Sequence, residues 1–316
     1  MRFRLGRPDL AAHADRFDVP AARGGLGVTF LGVSTLLIDD GSSALLTDGF
    51  FTRPGMLAVA LGRIAPDQQR IEACLQRAFT EAETLIGIEA VIPVHSHFDH
   101  ALDAAEVARR TGAMLVGGLS TANIGRGAGL HEEQMLVVAP GATWRRGPWT
   151  VRMIASAHCP PDRYPGTITA PVVPPAKAAA YQCGEAWSIL ARHDSDASVL
   201  VQGSAGYVEG ALAGQQADVV YLGVGQLGLH DEEYLTSYWN ETVRLVGARR
   251  VVLTHWDDFF RPLPMTPEDP PLRALPYAGD DLDATLRVLT RLAERDQVSL
   301  SLPRVWRREN PWAERR

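Results

Sequence analysis

The chain has 316 residues, of which 46% are hydrophobic, 22% charged and 7% aromatic, with a formal net charge of −6. That composition supports a sizeable buried core and excludes disordered and fibrous classes. The acidic balance argues against a sequence-independent nucleic-acid binder, which needs a basic surface to neutralise phosphates, and no basic arm is evident.

The N-terminus, Met1-Arg2-Phe3-Arg4, turns polar without an apolar core, so no signal peptide is expected. No stretch of about 18 uncharged apolar residues follows, so no membrane span is expected either. Cys74, Cys159 and Cys183 are odd in number and far apart. They read as reduced thiols of a cytoplasmic protein rather than a disulfide framework.

After a Gly-containing lead-in over 1–27, short apolar runs at 28–33, 35–39 and 44–47 are separated by Gly, Ser and Asp turn residues. They predict an antiparallel meander. Residues 66–79 predict a helix, with Ile71, Cys74, Leu75 and Phe79 at helical spacing. The apolar run 90–94 predicts a strand that delivers the chain directly into His95. A helix over 102–111 ends at Gly112, a natural C-cap.

Further strands are predicted at 114–116, 135–138 and 151–155. A Pro-rich stretch without periodicity then covers 160–177, and a loop of that length inside a compact fold is usually functional or mobile. Strands resume at 187–191, 199–202, 219–224 and 251–254, with a helix over 232–246 before the last. An amphipathic helix over 281–294 presents Leu282, Leu286, Leu289 and Leu292 on one side. A strand at 298–302 leads into an Arg-rich tail over 303–316, read as a solvated end. No linker divides the chain, so one α/β domain over 1–316 is expected, with mixed sheets covered by helices.

The segment His95-Ser96-His97-Phe98-Asp99-His100 carries the chemistry. Residues i and i+2 on extended backbone point the same way, so His95 and His97 can grip one ion. Asp99 and His100, where the loop turns into the next helix, can reach a neighbouring ion. Imidazole and carboxylate suit zinc, manganese or iron, and the absence of clustered thiols argues against a closed structural zinc site.

This H-x-H-x-D-H pattern resembles the metallo-β-lactamase superfamily, and further landmarks follow in order between Val28 and His255. Thr47-Asp48 looks like the family's early strand-end aspartate, His158 like its next metal-binding histidine and His255 like the last. The Thr254-His255-Trp256 ending and the Leu31-Gly32 run with Ser34-Thr35 are similar to the branch of N-acyl-phosphatidylethanolamine phospholipase D and ascorbate-6-phosphate lactonase. The resemblance implies a four-layer αββα sandwich with the site at the rim between the sheets. It implies a first ligand set of His95, His97 and His158 and a second of Asp99, His100 and His255, with Asp48 supporting the ligands from behind.

One family feature is missing. A bridging aspartate is usual in a Gly-Asp turn, and here the turn reads Gly203-Ser204-Ala205-Gly206, with Ser204 in its place. A neutral hydroxyl is a poor bridge between two dications. Three outcomes stay open: one ion at the three-histidine set, two ions with water or another carboxylate such as Asp257 or Asp258 in place of the bridge, or a scaffold without catalysis. The expected activity is hydrolysis of a small-molecule ester, lactone or phosphodiester by a metal-activated water, with Asp99 orienting that water or accepting its proton.

The rival readings are a non-catalytic metal- or ligand-binding protein, favoured by Ser204, and a di-iron redox protein working with a flavin partner. An oligomer is compatible with either. Tyr164 and Tyr181 near the ends of the Pro-rich stretch suggest that it overhangs the site, and His230 is a candidate substrate contact. His13, His131 and His193 have no supporting context. The Gly-rich segment 123–129 is read as a loop, and it is not a phosphate-binding motif.

Overall fold

The computed structural model describes residues 4–81 and 87–313. The first half runs β1 (Gly27–Phe30), β2 (Leu36–Asp39), β3 (Ser43–Thr47), α1 (Met56–Leu61), α2 (Gln68–Glu81), β4 (Gly87–Ile92), α3 (Phe98–Ala101), α4 (Ala104–Thr111), β5 (Met114–Gly117), α5 (Leu119–Gly127) and β6 (Met135–Val137). The second half runs β7 (Thr143–Arg146), β8 (Trp149–Ala155), β9 (Trp187–His193), β10 (Ser198–Gln202), β11 (Val219–Gly223), α6 (Glu232–Trp239), β12 (Arg250–Thr254), α7 (Leu282–Asp296), β13 (Ser299–Ser301) and β14 (Arg308–Glu309).

The strands form two seven-stranded sheets, ordered β14-β1-β2-β3-β4-β5-β6 and β13-β12-β11-β10-β9-β8-β7. Each sheet joins an antiparallel part to a parallel part. In the first, β1, β2 and β3 form the expected meander, and β3 to β6 run parallel. In the second, β7 to β10 are antiparallel and β10 to β13 parallel.

Alternation along the strands explains the layers. Phe30, Ile38 and Leu45 of the first sheet pack against Val151, Ile189 and Val201 of the second in one buried cluster. The opposite face of the first sheet, with Leu37, Leu46 and Val91, packs on Ile71 and Leu75 of α2 and Val107 of α4. On the far side, Leu235 and Trp239 of α6 and Leu286 and Leu289 of α7 cover the second sheet. The result is the expected αββα sandwich. Fully burying side chains of this size contributes about 1.5–3 kcal/mol each. Among the described residues no helix is long and apolar enough to cross a membrane.

Several boundaries differ from the sequence reading for local reasons. β4 stops at Ile92 because Pro93 has no N–H to donate to the ladder. The Val94 N–H instead donates to Asp48 Oδ1 at 2.9 Å. The helix predicted over 102–111 is α4, which starts at Ala104 and is preceded by the single turn of α3. Gly112 caps α4 at φ 73° as expected. The predicted helix over 232–246 is α6 followed by a π-turn at Asn240–Arg244.

Residues 123–127, read as loop, lie in α5, whose first amides are capped by the Glu185 carboxylate. The tail is not a solvated end. Arg308 on β14 forks onto the buried Asp39 carboxylate at 2.8–3.1 Å, and the Trp312 indole donates to Ser198 O on the other sheet. The tail therefore ties the two sheets together. Its last three residues lie outside the described residues.

Candidate metal centre

Functional side chains collect where strands leave the sheets. Asp48 follows β3, His95 follows β4, His158 comes shortly after β8, Ser204 follows β10 and His255 follows β12. Crosslinks hold these strand ends together. The His255 N–H donates to Val33 O at 2.8 Å, the Trp187 N–H to Val94 O at 2.8 Å, and Ser34 Oγ to Gly203 O at 3.1 Å. Val33, Asp48, Arg53 and His255 all adopt positive φ, between 45° and 59°. For non-glycine residues each such conformation costs about 1–3 kcal/mol, and it persists where surrounding structure dictates it.

The structure brings all six sequence-predicted residues into two neighbouring groups. In each of the sets His95/His97/His158 and Asp99/His100/His255, one donor atom per residue lies within 4.8 Å of the others. His95 Nε2 is 3.1 Å from His97 Nδ1, and the His158 ring centroid lies 5.0 and 4.7 Å from theirs. Asp99 Oδ2 is 3.4 Å from His255 Nε2 and 3.7 Å from His100 Nε2. The sets adjoin, with His95 and His100 ring centroids 4.0 Å apart.

The groups behind these rings fix their orientation. Asp48 Oδ2 accepts from His100 Nδ1 at 2.8 Å, which leaves the buried His100 Nε2 with no hydrogen-bond partner. His158 Nδ1 faces Cys159 O at 2.7 Å, and His97 Nε2 faces Tyr164 O at 3.2 Å. A ring whose one nitrogen is engaged by an acceptor presents a lone pair at the other, the arrangement that metal-binding histidines require. Two glycines permit the close approaches. A Cβ at Gly206 would meet the Ala157 and His158 carbonyls at 2.4 Å, and one at Gly225 would meet His255 Nδ1 at 2.7 Å.

Burial and neighbouring rings push His95 well below the usual imidazole range, burial lowers His97, and burial with the His97 ring brings His158 down to about 4. These three rings are therefore neutral and available as donors at neutral pH. Burial would lower His100 too, but the Asp48 and Asp99 carboxylates outweigh it and raise that ring. Burial would raise Asp99, but His100 and His255 outweigh it and hold its carboxyl well below the usual range. An orphaned imidazole nitrogen, neutral rings and one ionised carboxylate converge on a common space, so the residues fit divalent ions.

Ser204 lies beside the first set, its Oγ accepting the Cys159 N–H at 3.0 Å. Neither candidate carboxylate for the bridge is free. Asp257 pairs with Arg53 at 2.6 Å, both side chains fully buried, and its other oxygen accepts the Val33 N–H at 2.8 Å. Asp258 pairs with Arg7 and Arg261. The Arg53–Asp257 pair instead ties the loop after β3 to the loop after β12, and removing one partner of such a buried pair costs about 3–5 kcal/mol.

The stretch over 160–177 does overhang the motif. Ile168, Val172 and Ala176 pack in one cluster with Phe98, and Asp162 Oδ1 stands 3.2 Å from His97 Nε2. Tyr181 is fully buried in that cluster rather than facing a substrate. His230 stacks on Tyr234 with its Nε2 3.4 Å from Cys159 Sγ. His13 and His193 pair with Asp283 and Asp40, away from the motif, and His131 is exposed.

Sequence reasoning missed Arg53, Asp162 and Asp103. Asp103 accepts from the Phe51 and Thr52 amides and the Thr52 hydroxyl, and so pins the loop after Asp48. Burial pushes its carboxyl up to about 6. None of the three lies in a motif, and only the folded chain brings them back to the site.

A family model described as the metallo-beta-lactamase superfamily matches residues 28–180, a stretch that carries His95 to His100 and His158 but not His255. The fold is that of the metallo-β-lactamases. Solved structures share this architecture. The metallo hydrolase Igni18 of Ignicoccus hospitalis KIN4/I is 15% identical and superposes with a TM-score of 0.52 over 90% of this chain and 97% of its own.

A protein of Veillonella parvula DSM 2008, described as a possible metal-dependent hydrolase, is 12% identical, with a TM-score of 0.54 over 90% of this chain and 99% of its own. CmlA of Streptomyces venezuelae, a diiron beta-hydroxylase, is 13% identical, with a TM-score of 0.51 over 92% of this chain and 54% of its own. At these identities the likeness concerns the fold. No curated protein matches the chain.

Proposed function

We propose that the protein is a divalent-metal-dependent hydrolase acting on an ester, lactone or phosphodiester bond of a small molecule. The observation that carries this reading is the pair of adjoining ligand sets, His95/His97/His158 and Asp99/His100/His255, at one rim of the sandwich. A bound divalent ion would supply Lewis acidity to the scissile group and lower the pKa of a water molecule.

The chain's own residues do the rest. Neutral His95, His97 and His158 offer lone pairs without first losing a proton, and Asp48 keeps the His100 Nε2 turned inward. Asp99, held ionised by His100 and His255, accepts a hydrogen bond and so orients the attacking water. The lowered pKa keeps Asp99 ionised at neutral pH, the form that can accept a hydrogen bond or a proton from that water. The 160–177 stretch covers one side of the motif and limits entry of bulk solvent.

The test is a panel of lactones, esters and phosphodiesters assayed with added zinc or manganese. Turnover of one class, abolished in Asp99→Ala, is the expected result. Near-normal rates in Asp99→Ala would remove that residue from the mechanism. Elemental analysis of protein purified without chelators decides among zinc, manganese and iron, and iron in pairs would favour the di-iron redox reading.

A further inference from the structure

The His97 imidazole has a ligand set on each side. Its Nδ1 faces His95 Nε2 at 3.1 Å within the three-histidine group. Its Nε2 points the other way, 3.2 Å from Asp162 Oδ1 and 3.2 Å from Tyr164 O. Behind these lies Cys183, and donor atoms of His97, Asp162 and Cys183 are all within 4.8 Å of one another.

This outer group is held in place by backbone hydrogen bonds. The Ser96 N–H donates to Cys183 O at 2.8 Å, and the Cys183 N–H donates to Tyr164 O at 2.9 Å. The Tyr164 N–H donates to Asp162 Oδ1 at 2.9 Å. Cys183 is 6% exposed, and the Asp162 side chain, at 23%, leaves an approach from solvent.

We propose that His97, Asp162 and Cys183 form a second binding site for a thiophilic divalent ion, and that its occupation inhibits the inner site. One nitrogen, one carboxylate oxygen and one sulfur suit zinc, cobalt or cadmium, whereas the harder manganese and magnesium ions disfavour a thiolate ligand. The three donors leave a fourth position for water.

A neutral imidazole has one lone pair and one N–H. With the proton on Nε2, donated toward Tyr164 O, the Nδ1 lone pair serves the inner group. With the proton on Nδ1, donated to His95 Nε2, the Nε2 lone pair serves the outer group. The two groups therefore compete for one ring. An ion entering the outer group displaces the Cys183 thiol proton to solvent, while the imidazole proton only changes nitrogen. Occupation of the outer group also engages the His95 lone pair and so disarms two of the three inner histidines. The inhibition, though not the outer site itself, rests on the hydrolase reading.

The experiment is a cobalt(II) titration of the metal-free protein, followed by sulfur-to-cobalt charge-transfer absorption in the near ultraviolet. A band that saturates at a single thiolate-bound ion per chain is expected. It should vanish in Cys183→Ser and persist in Cys74→Ser and Cys159→Ser, and Asp162→Asn should weaken cobalt binding at least about tenfold.

In manganese-loaded protein, zinc should lower the hydrolysis rate, and Cys183→Ser should raise the zinc needed at least about tenfold. If Cys183→Ser does not fold, cadmium NMR of the unaltered protein tests for a thiolate-ligated resonance. No band and no such resonance at any metal load overturns the proposal, as does a band that survives in folded Cys183→Ser. A band without turnover of any substrate would leave the outer site standing and overturn only the hydrolase reading.

Discussion

The two inner ligand sets adjoin, yet their electrostatics are opposite. His95, His97 and His158 form an all-imidazole group whose rings burial keeps neutral. Asp99, His100 and His255 form a group organised by carboxylates, with Asp99 inside it and Asp48 behind His100. The first set is ready to take an ion at neutral pH but offers no charge to offset it. The second offers charge, yet His100 holds its proton more tightly. The difference teaches that ion retention at the two sets answers to different variables, proton competition at one and carboxylate count at the other.

The largest expected effect tests whether the sets are separable. His97→Ala should remove the ion of the imidazole set and lower turnover by roughly a thousandfold or more, as loss of a metal-borne nucleophile would. His255→Ala should remove the other ion and leave the first. Elemental analysis of both variants checks this, and equal losses in both would mean that the sets load as one unit.

Acid should separate the sets in the metal-free protein. A histidine whose folded pKa lies below its unfolded value of 6.5 takes up a proton sooner when unfolded, so stability present above pH 6.5 drains away as pH falls toward the folded value. For His158, lowered by burial and by the His97 ring, that loss falls between pH 6.5 and a folded value of about 4. His100, raised, works in the opposite sense, and its stabilisation is lost as pH rises through its folded value. The Tm of metal-free protein should therefore fall between pH 6.5 and 4, and His158→Gln should flatten the slope. A slope unchanged by His158→Gln would deny the ring its buried, neutral state.

Much of this contrast was legible in the sequence, because it lies in local spacing. The apolar run before His95, the meander before Asp48 and the strand before His255 each identify an element and the residue at its end. The layers follow from period-two alternation in the strands and the apolar stripe of α7. What the sequence hid depends on chain return. Asp162 lies in a Pro-rich segment without periodicity, and its approach to His97 follows from packing of Ile168 and Val172 on Phe98. Asp257 and Asp258 looked like available carboxylates because their arginine partners, Arg53, Arg7 and Arg261, carry no motif. The tail read as solvated because its short strand, β14, is anchored by one fork, Arg308 on Asp39, far away in sequence.

A smaller effect sharpens the role of charge behind the second set. Asp48 accepts from His100 Nδ1 and also from the Val94 amide. Asp48→Asn keeps the shape but removes the negative charge that favours the His100 orientation. Loss of such support usually weakens metal affinity about 10–100-fold. The loss should fall on the second set alone, read by competition with a chelator, and an equal loss at both sets would make Asp48 a scaffold residue rather than a support for His100.

The smallest change restores what the turn after β10 lacks. Asp257 and Asp258 are committed to arginines, so Asp99 is the one carboxylate in the two sets, and two dications would leave the site strongly positive. Ser204 is buried beside the first set, and its Oγ accepts the Cys159 N–H, a bond that a carboxylate could also accept. Ser204→Asp adds one negative charge there with little change in length. It should tighten the more weakly held ion by about tenfold, the scale of one added charge-assisted contact of about 1.4 kcal/mol. The first ion should barely respond, because three neutral rings already hold it. Titration of metal-free Ser204→Asp with zinc, beside the unaltered protein, reads this directly. A gain confined to the weaker ion would mean that carboxylate count limits the second set. A gain at both would place residue 204 between the ions, and no gain at either would mean that the hydroxyl serves only to hold the His158 loop.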